Sequence, residues 1–141
     1  MDAILLAALD AVSRERGSRF RDTFDCAKAL LAAYGQENIA ERIAVEAGSQ
    51  ASPLVAADLL SVLFWFSTDN GASIRRASEA WLEECADAWK VEVALHLETY
   101  PFLDAEKMQD TLGRVAGRFP LLGGRCEELR TLRAQDEWRG A

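Results

Sequence analysis

A chain of 141 residues, half of them hydrophobic and 28% charged, is long enough to bury its own core and too apolar for disorder. Its net charge of −7 speaks against nucleic acid and anionic lipid, whose phosphates demand Lys and Arg, and favours a basic partner. Three scattered cysteines, Cys26, Cys85 and Cys126, with no CxxC pair argue against a disulfide framework and a zinc site.

Asp2 stands as an N-cap before Ile4, Leu5, Ala8, Leu9 and Val12, which repeat with the helical period until Gly17. Acids at Asp2 and Asp10 are the wrong chemistry for a secretory signal, so this is expected to be a helix of a cytoplasmic protein. Ser18 opens a second helix, with Phe20, Phe24, Ala27, Leu31 and Tyr34 on one stripe and Gly35 after it. Asn38 and Glu41 are spaced as a capping box before a short helix bearing Ile39 and Ile43 and closed by Gly48.

In "SPLVAADLLSVLFWFS", Ser52 is the expected cap and Pro53 takes the first helical position, where a missing N–H does no harm. Apolar side chains cover most of this helix, so it should be the central helix of the core, with Asp58, Ser61 and Trp65 on the remaining stripe. The run is interrupted by Asp58 and Ser61 and falls well short of the roughly 20 apolar residues of a membrane span. "STDNG" is its exit turn, before a helix carrying Ile74, Ala77, Trp81 and Leu82.

"KVEVALHLE" reads as strand or helix: Val91, Val93, Leu95 and Leu97 alternate, while Trp89, Val93 and Leu97 keep helical spacing. No second alternating segment exists to pair with it, so helix is predicted. Beyond Pro101, Asp104 caps a helix with Met108, Leu112, Val115 and Phe119 inward, and Leu103 and Met108 are placed as a hydrophobic staple. Gly123 and Gly124 form the turn into a last helix with Cys126, Leu129 and Leu132 inward. The prediction is one all-α domain over residues 1–135, with seven or eight short helices in a bundle-like arrangement, and a frayed tail over 136–141.

The chemistry of an active site is hard to assemble from these residues. His96 is the one histidine, and nothing places a cysteine beside it. There is no ExxH pair for a bundle di-metal centre, and "PLLGGR" lacks the lysine and spacing of a phosphate loop. No catalytic residue, metal ligand or cofactor is assigned.

The charge is confined. Residues 79 to 106 hold Glu79, Glu83, Glu84, Asp87, Glu92, Glu98, Asp104 and Glu106 against Lys90 alone, which accounts for the whole net charge of −7. On a continuous helix Glu79, Glu83 and Asp87 would follow one face, with Trp89 close by in sequence. Candidate partner-binding residues are therefore Glu79, Glu83, Glu84, Asp87, Trp89 and Glu92, with Trp65 as the tryptophan least easily explained by a core. The bland alternative is a solvated face that keeps the protein soluble. Reversing Glu83 and Asp87 to Lys is expected to slow association with a partner and to leave thermal stability nearly unchanged.

In overall cast, "DLLSVLFWFSTDNG", "WKVEVALHLETYPF" and the acidic stretch around them resemble the small acidic all-α immunity proteins of bacterial toxin–immunity pairs. The resemblance implies a protein without chemistry of its own that binds one cognate toxin, a basic toxin or enzyme domain, and holds it inactive. Two other classes stand beside it: a secretion chaperone or helical scaffold working as a homodimer through apolar surface, and an enzyme or small-ligand carrier in the bundle core.

Overall fold

The computed structural model describes residues 1–140, without the side chains of Ser49 and residues 137–140. Eight α-helices run through the described residues, with no strand. They are α1 (Ala3–Glu15), α2 (Arg21–Tyr34), α3 (Ile39–Ala47), α4 (Pro53–Phe66), α5 (Ala72–Glu84), α6 (Ala88–Leu95), α7 (Ala105–Arg118) and α8 (Gly123–Gly140). The stretch expected to fray, 136–141, is helical through Gly140, and residue 141 lies outside the described residues. The chain divides into two compact units, Met1–Ala77 and Ser78–Ala141.

In the first unit α1, α2 and α4 pack on one another. Asp2 caps α1 as predicted, its carboxylate accepting from the Ile4 N–H at 3.1 Å. Ser52 accepts from the Leu54 N–H at 3.2 Å with Pro53 following, so α4 begins where the sequence indicates. α4 buries Ala56, Ala57, Leu59, Leu60, Ser61, Val62 and Leu63, and each leucine contributes about 1.5–3 kcal/mol of burial.

Three local expectations are corrected here. Ser18 does not cap α2; its hydroxyl donates to the Glu15 carbonyl. The cap is the Glu15 carboxylate, which accepts from the backbone N–H groups of Arg21, Asp22 and Thr23 and from the Thr23 hydroxyl. That turns Thr23 inward, so α2 buries Thr23, Ala27 and Leu30, while Phe24 is 43% exposed. At α3 the Asn38 side chain makes no capping hydrogen bond, so the predicted capping box does not form.

"STDNG" is the exit turn of α4, and Asp69 organises it. Its carboxylate accepts from the N–H of Gly71 and of Ser73, both at 3.0 Å, and from the Ser73 hydroxyl at 2.7 Å, capping α5. Gly71 has φ +76°, and a Cβ there would lie 2.2 Å from the Phe64 ring. Only glycine fits both demands.

In the second unit α7 packs along α8, and α6 also contacts α8. Residues 90–95 of "KVEVALHLE" are helical and form most of α6, with Val91, Val93, Ala94 and Leu95 buried, while residues 96–98 lie beyond its end. α5 stops at Glu84, and Cys85 takes φ +51°. α7 is capped by Asp104, whose carboxylate accepts from the N–H of Glu106 and Lys107. The Leu103–Met108 staple does not form: Leu103 is 83% exposed and the preceding Phe102 is buried in its place. The turn before α8 is a 3-10 turn over Pro120–Leu122, and Gly123 and Gly124 already belong to the helix. Leu132 points outward, and the next residue, Arg133, is buried instead.

Candidate functional site

The first helical turns of α7 and the last turn of α5 form an open cleft of about 580 Å³ in the second unit. Glu83 lines it from α5, and Asp104, Glu106, Asp110 and Thr111 line it from α7 and its cap, beside Lys107 and Arg114. Four carboxylates thus face two cations. The spacing of α7 explains the gathering, because residues three and four apart share a face of a helix. That face lies beside the buried stripe of Met108, Thr111, Leu112 and Val115.

Both cations are tied to one residue. Lys107 Nζ lies 3.0 Å from the Glu83 carboxylate, and Arg114 donates to the Glu83 backbone carbonyl at 3.4 Å. Lys107 also sits over the Phe102 ring, 5.1 Å from its centre. The Asp104 carboxylate is occupied by its cap. Glu106 and Asp110, one turn apart on α7, have no ion-pair or hydrogen-bond partner for their carboxylates among the described residues.

The loop that leads into the cap of α7 is held by Arg133, which is 8% exposed. Its guanidinium donates to the carbonyls of Phe102 at 3.1 Å and Leu103 at 2.9 Å and lies over the Tyr100 ring. The Tyr100 hydroxyl in turn donates to the Asp136 carboxylate, which raises the Tyr100 pKa. A planar fork is the side chain suited to two adjacent carbonyls.

Of the candidate binding residues, only Glu83 lines the cleft. Glu79, Glu83 and Asp87 do not follow one helix face, because the helix ends between Glu83 and Asp87. Asp87 is instead the N-cap of α6, accepting from the Lys90 N–H at 3.2 Å. Glu84 is exposed, while Glu79, Trp89 and Glu92 are half-buried. Trp65, 69% exposed on α4, belongs to the first unit. It stands edge-on to Phe64, and nearby in sequence Phe66 meets Phe24 edge-to-face at 5.4 Å.

Asp104 and Glu106 belong to the acidic stretch without being candidates, and the cleft residues missed altogether from sequence are Lys107, Asp110, Thr111 and Arg114. Their signal was the spacing 107, 110, 111, 114, one face of a predicted helix, which is overshadowed by the apolar stripe next to it. Elsewhere, burial pushes the Cys26 and Cys126 thiols up, so neither is poised as a thiolate. His96 ends α6, its N–H donating to the Val93 carbonyl. Among the described residues no group of three or more His, Cys, Asp or Glu could hold a metal ion, and no helix is long and apolar enough to cross a membrane.

No protein-family model matches the chain, and no curated protein or solved structure does either.

Proposed function

We propose that the chain is a non-enzymatic binding protein that neutralises a basic partner, a cognate bacterial toxin or a comparable enzyme domain, in the cytoplasm. The observation that carries this reading is the acidic cleft, in which Glu106 and Asp110 stand without a cation of their own while the two cations nearby are engaged by Glu83. An uncompensated acidic concavity raises the local concentration of a cationic partner and speeds its docking. The exposed Glu84 and the cap Asp87 extend the acidity along the chain after Glu83.

The test is affinity capture from the host lysate at low and then high salt, followed by an activity assay of what is captured. One basic protein, released by salt and inactivated by an equimolar amount of this chain, is the expected result. Capture of nothing but the bait, or of a partner that stays active when bound, overturns the reading.

A homodimeric scaffold is a second reading, favoured by the aromatic surface of the first unit. Phe24 and Trp65 are 43% and 69% exposed, and Phe20, Phe24 and Phe66 meet edge-to-face. Sedimentation would then give a dimer that Phe24→Ser with Trp65→Ser dissociates; a monomer at all concentrations counts against it.

A further inference from the structure

We infer that the cleft is a seat for one arginine side chain of the partner, with Leu103 as the apolar contact beside it. The inference rests on the reading of the chain as a binder of a basic partner and specifies the group that is recognised.

Three observations define the missing group. Glu106 and Asp110 are successive acids on one face of α7 with no partner of opposite charge among the described residues, an arrangement that repels itself until a cation lies between them. Thr111, beside Asp110, is only 4% exposed, and its hydroxyl makes no hydrogen bond to any described residue. A helical threonine can bond back to the carbonyl one turn earlier, and this one does not. No fully occluded side-chain oxygen or nitrogen lacks a partner among the described residues, so the Thr111 hydroxyl opens through the small exposed remainder of its side chain, which lines the cleft.

Two carboxylates and a hydroxyl in one concavity call for a cation with several donors in fixed directions. A guanidinium has five N–H donors in a planar fork and matches carboxylates two bonds at a time, whereas an ammonium is a point charge with three donors. A divalent ion is disfavoured, because no three ligating side chains come together among the described residues. The cleft volume of about 580 Å³ accommodates an arginine together with part of the segment that carries it.

Leu103 adds the second contact. It directly precedes Asp104, is 83% exposed, and its carbonyl is fixed by the buried Arg133 guanidinium at 2.9 Å. With the backbone already braced, only the rotamers of the side chain remain to be ordered on binding, which lowers the cost of an apolar contact there. The partner segment therefore carries an arginine with an apolar residue next to it.

The full chain, labelled with nitrogen-15, is titrated with the blocked dipeptide acetyl-Leu-Arg-amide, with its lysine and citrulline counterparts, and with calcium chloride. The arginine peptide is expected to shift amides within residues 103–114, to bind several-fold more tightly than the lysine peptide, and to bind at least tenfold more tightly than the citrulline peptide. Glu106→Gln with Asp110→Asn should weaken it at least tenfold, and the isosteric Thr111→Val several-fold, with melting temperatures near that of the parent. Equal binding of arginine and citrulline peptides, shifts spread over all acidic surfaces, or calcium shifting the same amides more strongly would each overturn the inference. If the Glu106→Gln, Asp110→Asn chain captures and inactivates a basic partner with unchanged affinity, the arginine seat is wrong and the neutralising function stands. If the arginine peptide binds at the cleft and no partner is captured at low salt, the seat stands and that function falls.

Discussion

The carboxylate of Glu15 gathers the first N–H groups of α2, and the same bonds hold its pKa down from 4.5 to about 2, the Thr23 hydroxyl being the largest cause. A pKa lower in the folded than in the unfolded state means that the unfolded chain binds the proton more readily. The stabilisation is therefore complete above about pH 4.5 and is lost as the pH falls toward 2. Melting temperature against pH should show a steep acid limb in this window, and Glu15→Gln should flatten it. Gly71 offers a second residue-scale prediction: with φ +76° and a Cβ position 2.2 Å from the Phe64 ring, Gly71→Ala should cost about 1–3 kcal/mol from backbone strain, with the clash adding to it. Urea unfolding measures this. The glycine of "STDNG" is legible as a turn residue, but its contact with Phe64 depends on how α4 leaves the turn.

At the scale of elements, Asp87 separates charge from helix capping. Asp87→Asn keeps an acceptor for the Lys90 N–H and should leave stability within a few tenths of a kcal/mol, whereas Asp87→Lys removes the cap and should cost about 1 kcal/mol. Both variants lose the negative charge, so a difference between them in thermal unfolding reads the cap together with the lysine's charge at the helix N-terminus, and a shared loss of partner binding reads the lost carboxylate charge. The neutrality expected of a lysine at this position assumed one continuous helix, whereas α5 ends at Glu84 and Asp87 caps α6. The loop between α6 and α7 is held by Arg133 through the Phe102 and Leu103 carbonyls. Arg133→Met should cost about 1–3 kcal/mol for buried carbonyls left without donors, with faster hydrogen exchange over residues 99–104 as the check. From sequence, Leu132 is the natural inward residue of this helix. The outcome was reversed because loop carbonyls buried against α8 need a donor more than the core needs another leucine.

For the whole molecule, the distinction is between charge counted along the chain and charge in space. The stretch 79–106 carries all the net negative charge, yet Lys107, the next residue, and Arg114 come back to Glu83. The ion pairs are exposed; Lys107 and Glu83 retain 54% and 48% of their side-chain surface. Such pairs are worth about 0–1 kcal/mol. Melting temperature should therefore move by only a few degrees between low and high salt, while partner association falls steeply; scanning calorimetry and binding kinetics in the same buffers check both.

The amino-acid sequence by itself determined the all-helical class, the helix of "KVEVALHLE", and the caps Asp2, Ser52 and Asp104, because helical period and capping act over a few neighbouring residues. It also located the confined acidity, but not which acids meet. Arg114 reaches the Glu83 carbonyl across 31 residues, and the buried Arg133 serves a loop 30 and 31 residues before it. Contacts of that span depend on how α7 meets the end of α5 and how α8 meets the loop before α7, and no local pattern encodes them. Only the tertiary structure decided that Glu83 faces Glu106 and Asp110 across a cleft, that Asp87 serves a helix end, and that Leu103 stands outside the core.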